Sequence, residues 1–329
     1  MLNGPTEFGI KSPTPVQFTT DKTRVCRAGD ILFCVRGSTT GRMNWADREY
    51  VIGRGLASIR HRNGLEYQHF LKGIMDDALP TLLSSATGST FPNVSKDQLK
   101  GLDILVPSLP EQKAIASVLS SLDDKIDLLH RQNKTLEGMA EALWRKMFLE
   151  EAEDDWKKGH LSEVVVLASG KSRPDENSEG VCPMYGGNGI LGYCNQQNVD
   201  GDSIIIGRVG AYCGSLFIEN KPIWVTDNAL IAKPIKNGVI AFLFYLLKTL
   251  DLNSMAEGSS HPLLTQTLLK SIEIDIPPEK EILFFCSIAN NWRKKIESNN
   301  IQIASNIKIR DTLLPKLMSG EIKIKSEHD

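Results

Sequence analysis

The chain repeats itself once, and that duplication limits its folds more than any other feature. Residues 28–41, AGDILFCVRGSTTG, align with 200–214, DGDSIIIGRVGAYCG. ASIRHRNG then meets IAKPIKNG, SATGSTFP meets AEGSSHPL, and LDILVPSLPEQKAI (102–115) meets IEIDIPPEKEIL (272–283), in the same order. An offset of 170 separates Ile126 from Ile296 and Met147 from Leu317. Two copies are too few for a solenoid. A pair of related modules fits.

Each copy runs through the same elements. Gly-rich segments carry short β-type runs such as DILFCV and SIIIG. A short helical stretch follows, EYQHFLKGIMDDAL (66–79) or IAFLFYLLKTLDL (240–252), then a strand ending in Pro, then a long helix. In the first long helix Ile115, Leu119, Leu122, Ile126, Leu129, Asn133, Leu136, Ala140, Leu143 and Met147 recur in unbroken alternating steps of four and three, which is a coiled-coil seam. Asn133 is either a register-setting polar residue or sits beside a solvent gap. In the second, Ala289, Ile296, Ile303, Ile307, Leu314 and Leu317 keep the seam, while Arg293, Asn300 and Arg310 interrupt it. A helix of about 40 residues spans roughly 60 Å, too long to be buried in one module. Packing each helix on its own module would call for a broader apolar stripe, so the narrow seam favours two helices paired antiparallel as a spacer.

Composition excludes several classes. The 329 residues are 41% hydrophobic and 24% charged, as in globular chains. No apolar run reaches the ~18 residues of a membrane span, and the N-terminal residues do not follow the order of a signal peptide, so the expected location is cytoplasmic. Cys26, Cys34, Cys182, Cys194, Cys213 and Cys286 form no CxxC pair, and reduced thiols with no metal site are expected. A net charge of −2 gives no overall attraction to nucleic acid, so any such binding must use local basic surfaces.

YGGNGILGY (185–193) has the Gly-x-Gly-x-x-Gly spacing of a dinucleotide turn. That turn needs a strand just before it and a helix opening within it. Here Pro183 precedes the motif and turn residues follow it, so a Gly-rich turn between strands, presenting Tyr185, Asn188 and Tyr193, is the better reading. Glu321-Ile322-Lys323 with Asp311 has the residue order of a metal-dependent nuclease, but lies on a helix end and a charged tail. Gly-x-Ser-x-Gly, HExxH and the Asn/Asp-Pro-Pro-aromatic motif of DNA amino-methyltransferases are absent, and His61, His69, His130, His160, His261 and His328 show no pairing pattern. The chain reads as non-catalytic.

The loop VRGSTTGRMN (35–44) offers Arg36 and Arg42, the hydroxyls of Ser38, Thr39 and Thr40, and the Asn44 amide. Such groups suit phosphates and base edges, although a basic stretch is also commonly a solvated face. Arg48, Arg54, Arg60 and Arg62 follow. The second copy carries Arg208 and Tyr212 in the corresponding loop, with Lys171 and Arg173 in an earlier turn. Two modules with one scaffold and different side chains suit the reading of two different sequences.

GDILFCVRGSTTG, ATGSTFPNVSKDQLKGLDILVPSLPEQKAIASVLSSLDDKID, WKKGHLSEVVVLASGK, YGGNGILGY and LLPKLMSGEI together closely resemble the specificity subunit of type I restriction-modification systems, over nearly the whole chain. The resemblance implies an α+β fold, with two mixed α/β target recognition domains separated by two long conserved helices that form an antiparallel coiled coil. The limits are 1–108 for the first recognition domain, 109–150 for the central helix, 151–277 for the second domain, and 278–329 for the last helix and tail. The family reads a split double-stranded DNA target and docks two methyltransferase subunits as well as restriction subunits. S-adenosylmethionine and ATP are then expected on those partners, and no cofactor on this chain. A scaffold that recruits partners without reading DNA is the alternative.

One departure stands out. WKKGHLSEVVVLASGKSRP has no similar counterpart ahead of Gly29, so the first recognition domain is expected to be incomplete at its N-terminus.

Overall fold

In the computed structural model, which describes residues 1–86, 92–177, 179–258 and 262–324, the run ILFC forms the strand Ile31–Cys34. The SATGSTFP and AEGSSHPL repeat pair lies partly outside the described residues. Contacts divide the chain into two units, Met1–Gln132 with Ser298–Asp329, and Asn133–Glu297. Each unit takes part of both long helices, Leu109–Arg145 and Glu279–Met318.

In the first unit Ile31–Cys34 is the middle of three antiparallel strands, flanked by Met43–Trp45 and Leu56–Ile59. All four of its residues are buried, because the sheet is covered on both faces. Leu32 and Cys34 pack with Leu2, Cys26, Tyr50, Ile52 and Leu56, whereas Phe33 packs with Met75, Leu82 and Val94. Burial on both faces turns the strand's expected alternation into a continuous apolar run. The helix Gln68–Asp77 lays Phe70 and Ile74 against Ile115, Leu119 and Leu317 of the long helices. Gly73 permits that close approach, since a Cβ there would come within 3.0–3.3 Å of Leu119, Leu314 and Met318.

The second unit repeats this plan and adds to it. Ser203–Gly207 is again central, between Leu216–Glu219 and Ala229–Pro234, but a fourth strand, Val165–Ser169, pairs with Ala229–Pro234. Lys157–His160 pairs with Glu273–Ile276. YGGNGILGY lies in a hairpin of Cys182–Gly186 and Gly189–Cys194, turning at Gly187 and Asn188, with Trp224–Val225 parallel to its first strand. A strand therefore enters and leaves the glycine motif, with no helix, and the turn-between-strands reading holds.

The two sheets share one register. Val35 N–H donates to Gly55 O as Arg208 N–H donates to Asn228 O, and the pair Phe33–Ala57 repeats as Ile206–Leu230, all with numbers differing by 173. Farther on, Ser95 and Thr265, 170 apart, each cap a short helix by accepting a hydrogen bond from a backbone N–H.

In the first unit the helix segments run antiparallel. Ile115 and Leu119 share a cluster with Leu317, Ile126 and Leu129 share one with Ile303, and Gln132 faces Asn299 at 3.4 Å. Leu122 and Leu136 are half-buried, as are Ile296, Ile307 and Leu314, and Asn133 is buried. The seam departs from the strict pattern in two places. Asn299, not Asn300, is the buried residue; Asn300 is exposed. Near the end of the central helix Leu143 and Met147 only flank the core, while Trp144 and Phe148 enter it beside Phe285. A straight helix drifts against a seven-residue repeat, and the turn Lys146–Glu150 is π-helical.

Candidate nucleic-acid interface

The loops that follow the two central strands have the same backbone. Gly41 N–H donates to Cys34 O and Cys34 N–H to Arg42 O; Gly214 to Gly207 O and Gly207 to Ser215 O. Thr40 N–H donates to Gly37 O and Arg42 N–H to Thr39 O, matched by Cys213 to Gly210 and Ser215 to Tyr212. Gly37 and Gly210 both have positive φ, as do Gly41 and Gly214. The correspondence again runs at 173. Arg36 therefore occupies the place of Val209, and Arg208 that of Val35, so the two arginines that align in sequence are not structural equivalents.

In the first unit Arg36, Ser38 and Arg42 are exposed on this loop. The Arg36 guanidinium donates to Arg54 O at 3.0 Å, bringing the 53–55 turn alongside. Thr39 and Thr40 are half-buried, and the Thr40 hydroxyl donates to Gly37 O and Pro92 O, tying the loop to the scaffold. Asn44 does not share the surface. Its side chain is buried and donates to Gly9 O at 2.9 Å, which makes it a brace for the N-terminal turn. Arg60 is likewise structural, held by the buried Asp30 carboxylate at 2.5 Å.

In the second unit three loops converge at one end of the sheet. Lys171 N–H donates to Val225 O, Arg208 N–H to Asn228 O, and Gly187 packs against Gly207 with Asn228 O nearby. A Cβ on Gly207 would lie 2.3 Å from Tyr212 O and 2.5 Å from Gly187 O, so only glycine fits between these turns. Lys171, Asn188 and Tyr212 are exposed there and Arg208 is half-buried. Arg173, also exposed, is ion-paired with Glu176. Tyr185 is not on the surface. It is buried, its hydroxyl donates to Glu219 at 2.6 Å, and burial followed by that carboxylate pushes its pKa well above the ordinary value.

The residues of the nuclease reading are spoken for: Asp311 pairs with Arg310, and Glu321 with Lys316. Among the described residues no group of three His, Cys, Asp or Glu side chains could hold a metal ion, and the six cysteines are free and buried.

The family described as type I restriction modification DNA specificity domain matches residues 14–138 and again 153–303. The chain belongs to that family. The double match is the internal repeat seen from outside, and it makes this type I specificity subunit a recognition component rather than an enzyme. It is 27% identical over 346 aligned positions to the type I restriction enzyme MjaIX specificity subunit of Methanocaldococcus jannaschii, covering 92% of this chain and 79% of that relative. It is 26% identical to the type I restriction enzyme EcoprrI specificity subunit of Escherichia coli, over 68% of this chain and 60% of that one. The crystal structure of a type I restriction-modification S subunit from M. genitalium superposes with a TM-score of 0.63 at 23% identity, over 96% of this chain and 87% of that chain, which shows the fold.

Sequence reasoning missed Arg54 as a neighbour of Arg36 and could not see that Asn44 and Tyr185 turn inward, or that Arg60, still exposed, is held by Asp30. Their partners lie 35, 34 and 30 residues away.

Proposed function

We propose that each unit of this specificity subunit reads one half of a split double-stranded DNA sequence through the end of its sheet. The carrying observation is the pair of loops 35–42 and 208–215, equal in backbone bonding and different in side chains. Arg36, Ser38, Thr39, Arg42 and Arg54 face one half-site; Lys171, Arg173, Asn188, Arg208 and Tyr212 face the other. Guanidinium groups suit guanine edges and phosphates, and hydroxyls and amides suit phosphates and adenine. The long helices dock methyltransferase subunits, two in number, and restriction subunits join that assembly in the cytoplasm. S-adenosylmethionine and ATP bind those partners, which supply the chemistry.

The test is co-expression with the neighbouring methyltransferase subunit in a host lacking other methylases, with methylated adenines mapped by single-molecule sequencing. A motif with two defined halves supports reading by both units. A motif with one half assigns the first unit a scaffold role, and no motif at all overturns the proposal.

A further inference from the structure

Beside the polar loop of each unit runs a further segment of chain, and at one repeated position it exposes a large apolar side chain. The pair Cys26–Tyr50 recurs as Val199–Ile223, again 173 apart. Leu2 and Ile52 likewise repeat the parallel pair Tyr185 and Val225. The Asn3 side-chain amide donates to Gln17 at 2.7 Å, in the place where Ile190 returns across from Tyr185. Phe18 therefore stands where Leu191 stands in the second unit. Both are exposed, Phe18 at 91% and Leu191 at 41%. Contacts tie the segment to the polar loops. In the first unit a Cβ on Gly55 would lie 2.5 Å from Asn3 O, and Arg54 O in the same turn accepts from the Arg36 guanidinium. In the second unit the hairpin turn at Gly187 packs on Gly207, and a Cβ on Gly186 would lie 2.7 Å from Leu191 Cδ1.

We infer that Phe18 and Leu191 are specificity-determining residues, each meeting the 5-methyl group of a thymine in its own half-site. The inference rests on the half-site reading proposed above. One exposed apolar side chain is ordinary on a protein surface; its recurrence at a single position of a duplicated scaffold, beside two loops of equal backbone, calls for a shared use. In the major groove thymine alone offers an apolar group, and a two-stranded ribbon fits that groove. The surroundings suit nucleic acid. Gln17, Thr19 and Thr20 are exposed around Phe18, and Asn188 and Tyr193 around Leu191. Their amides and hydroxyls match phosphates and base edges, so an apolar contact to thymine would be framed by polar ones.

The test uses the full chain with its methyltransferase partner and duplexes carrying the mapped target, in which each thymine of one half is replaced in turn by deoxyuridine, which lacks only the methyl group. One such replacement in the first half should weaken binding about fourfold, the worth of one buried methyl group. Phe18→Ala should bind the thymine duplex weaker by at least that factor, lose nothing more on the replacement, and keep its Tm, because the side chain packs on almost nothing. Leu191→Ala should behave in the same way toward the second half alone. Four results would each overturn the inference and leave the half-site reading standing: a mapped half with no A·T pair, deoxyuridine that costs nothing at every position, a Phe18→Ala variant that still loses the full factor on replacement, or one that binds DNA normally but no longer assembles with the methyltransferase. Selection of no target by the unsubstituted protein would bring down the half-site reading and this inference with it.

Discussion

Arg310 Nη1 lies 3.0 Å from Asp123 Oδ1, joining the two long helices within the first unit. The arginine that interrupts the apolar seam in sequence thus becomes a cross-helix tie. Burial alone would raise the Asp123 pKa, but the facing His69, Arg310 and Lys72 hold it below the ordinary 3.8. A depressed carboxylate contributes stability at neutral pH and loses it as pH falls through its folded value. Asp123→Asn should therefore cost about 1–2 kcal/mol at pH 7. In denaturant titrations the gap from the unsubstituted protein should narrow as the pH drops below 3.8.

Leu129 is 1% exposed in the seam, and Leu128 beside it is 41% exposed. Leu129→Ala should destabilise by about 2–4 kcal/mol through lost burial and a residual cavity, and Leu128→Ala by no more than about 0.5 kcal/mol. Chemical denaturation of the two variants decides this; equal losses would contradict the pairing in the first unit.

Gly207→Ala should destabilise by about 1–3 kcal/mol, because both neighbours of the added methyl are backbone and cannot rotate away. Its functional signature is selective: methylation mapping should show the second half-site degraded and the first retained.

Arg36→Ala and Arg42→Ala should each weaken binding to the first half-site by about 1–3 kcal/mol where the side chain meets a base. Mobility shifts on duplexes altered in one half at a time read this directly. Asn44→Ala should lower stability without relaxing base preference.

Tyr185→Phe should cost about 1 kcal/mol of stability by removing the hydrogen bond to Glu219, and leave the methylation motif unchanged. An altered motif would place Tyr185 at the DNA despite its burial.

Local periodicity made much of this protein readable before any coordinates. The seam from Ile115 through Leu136 depends on spacing within one helix, and the duplication shows as a nearly fixed offset, so both long helices and the repeated order of elements follow from sequence alone. The family could be recognised from contiguous motifs for the same reason. Where partners are distant in sequence, only the tertiary structure decides. Asn44 and Tyr185 read as surface polar groups until Gly9 and Glu219 are brought to them, and Arg60 reads as a free cation until Asp30 is. The shift from 170 along the helices to 173 through the sheets, which separates Arg36 from Arg208, shows only in hydrogen-bond register. The N-terminal residues are another case. They do not resemble the second copy, yet Leu2 bridges parallel to Ile52 as Tyr185 pairs parallel to Val225. Backbone hydrogen bonding fixes such placements without regard to side-chain identity, which is why composition and motif carry no trace of them.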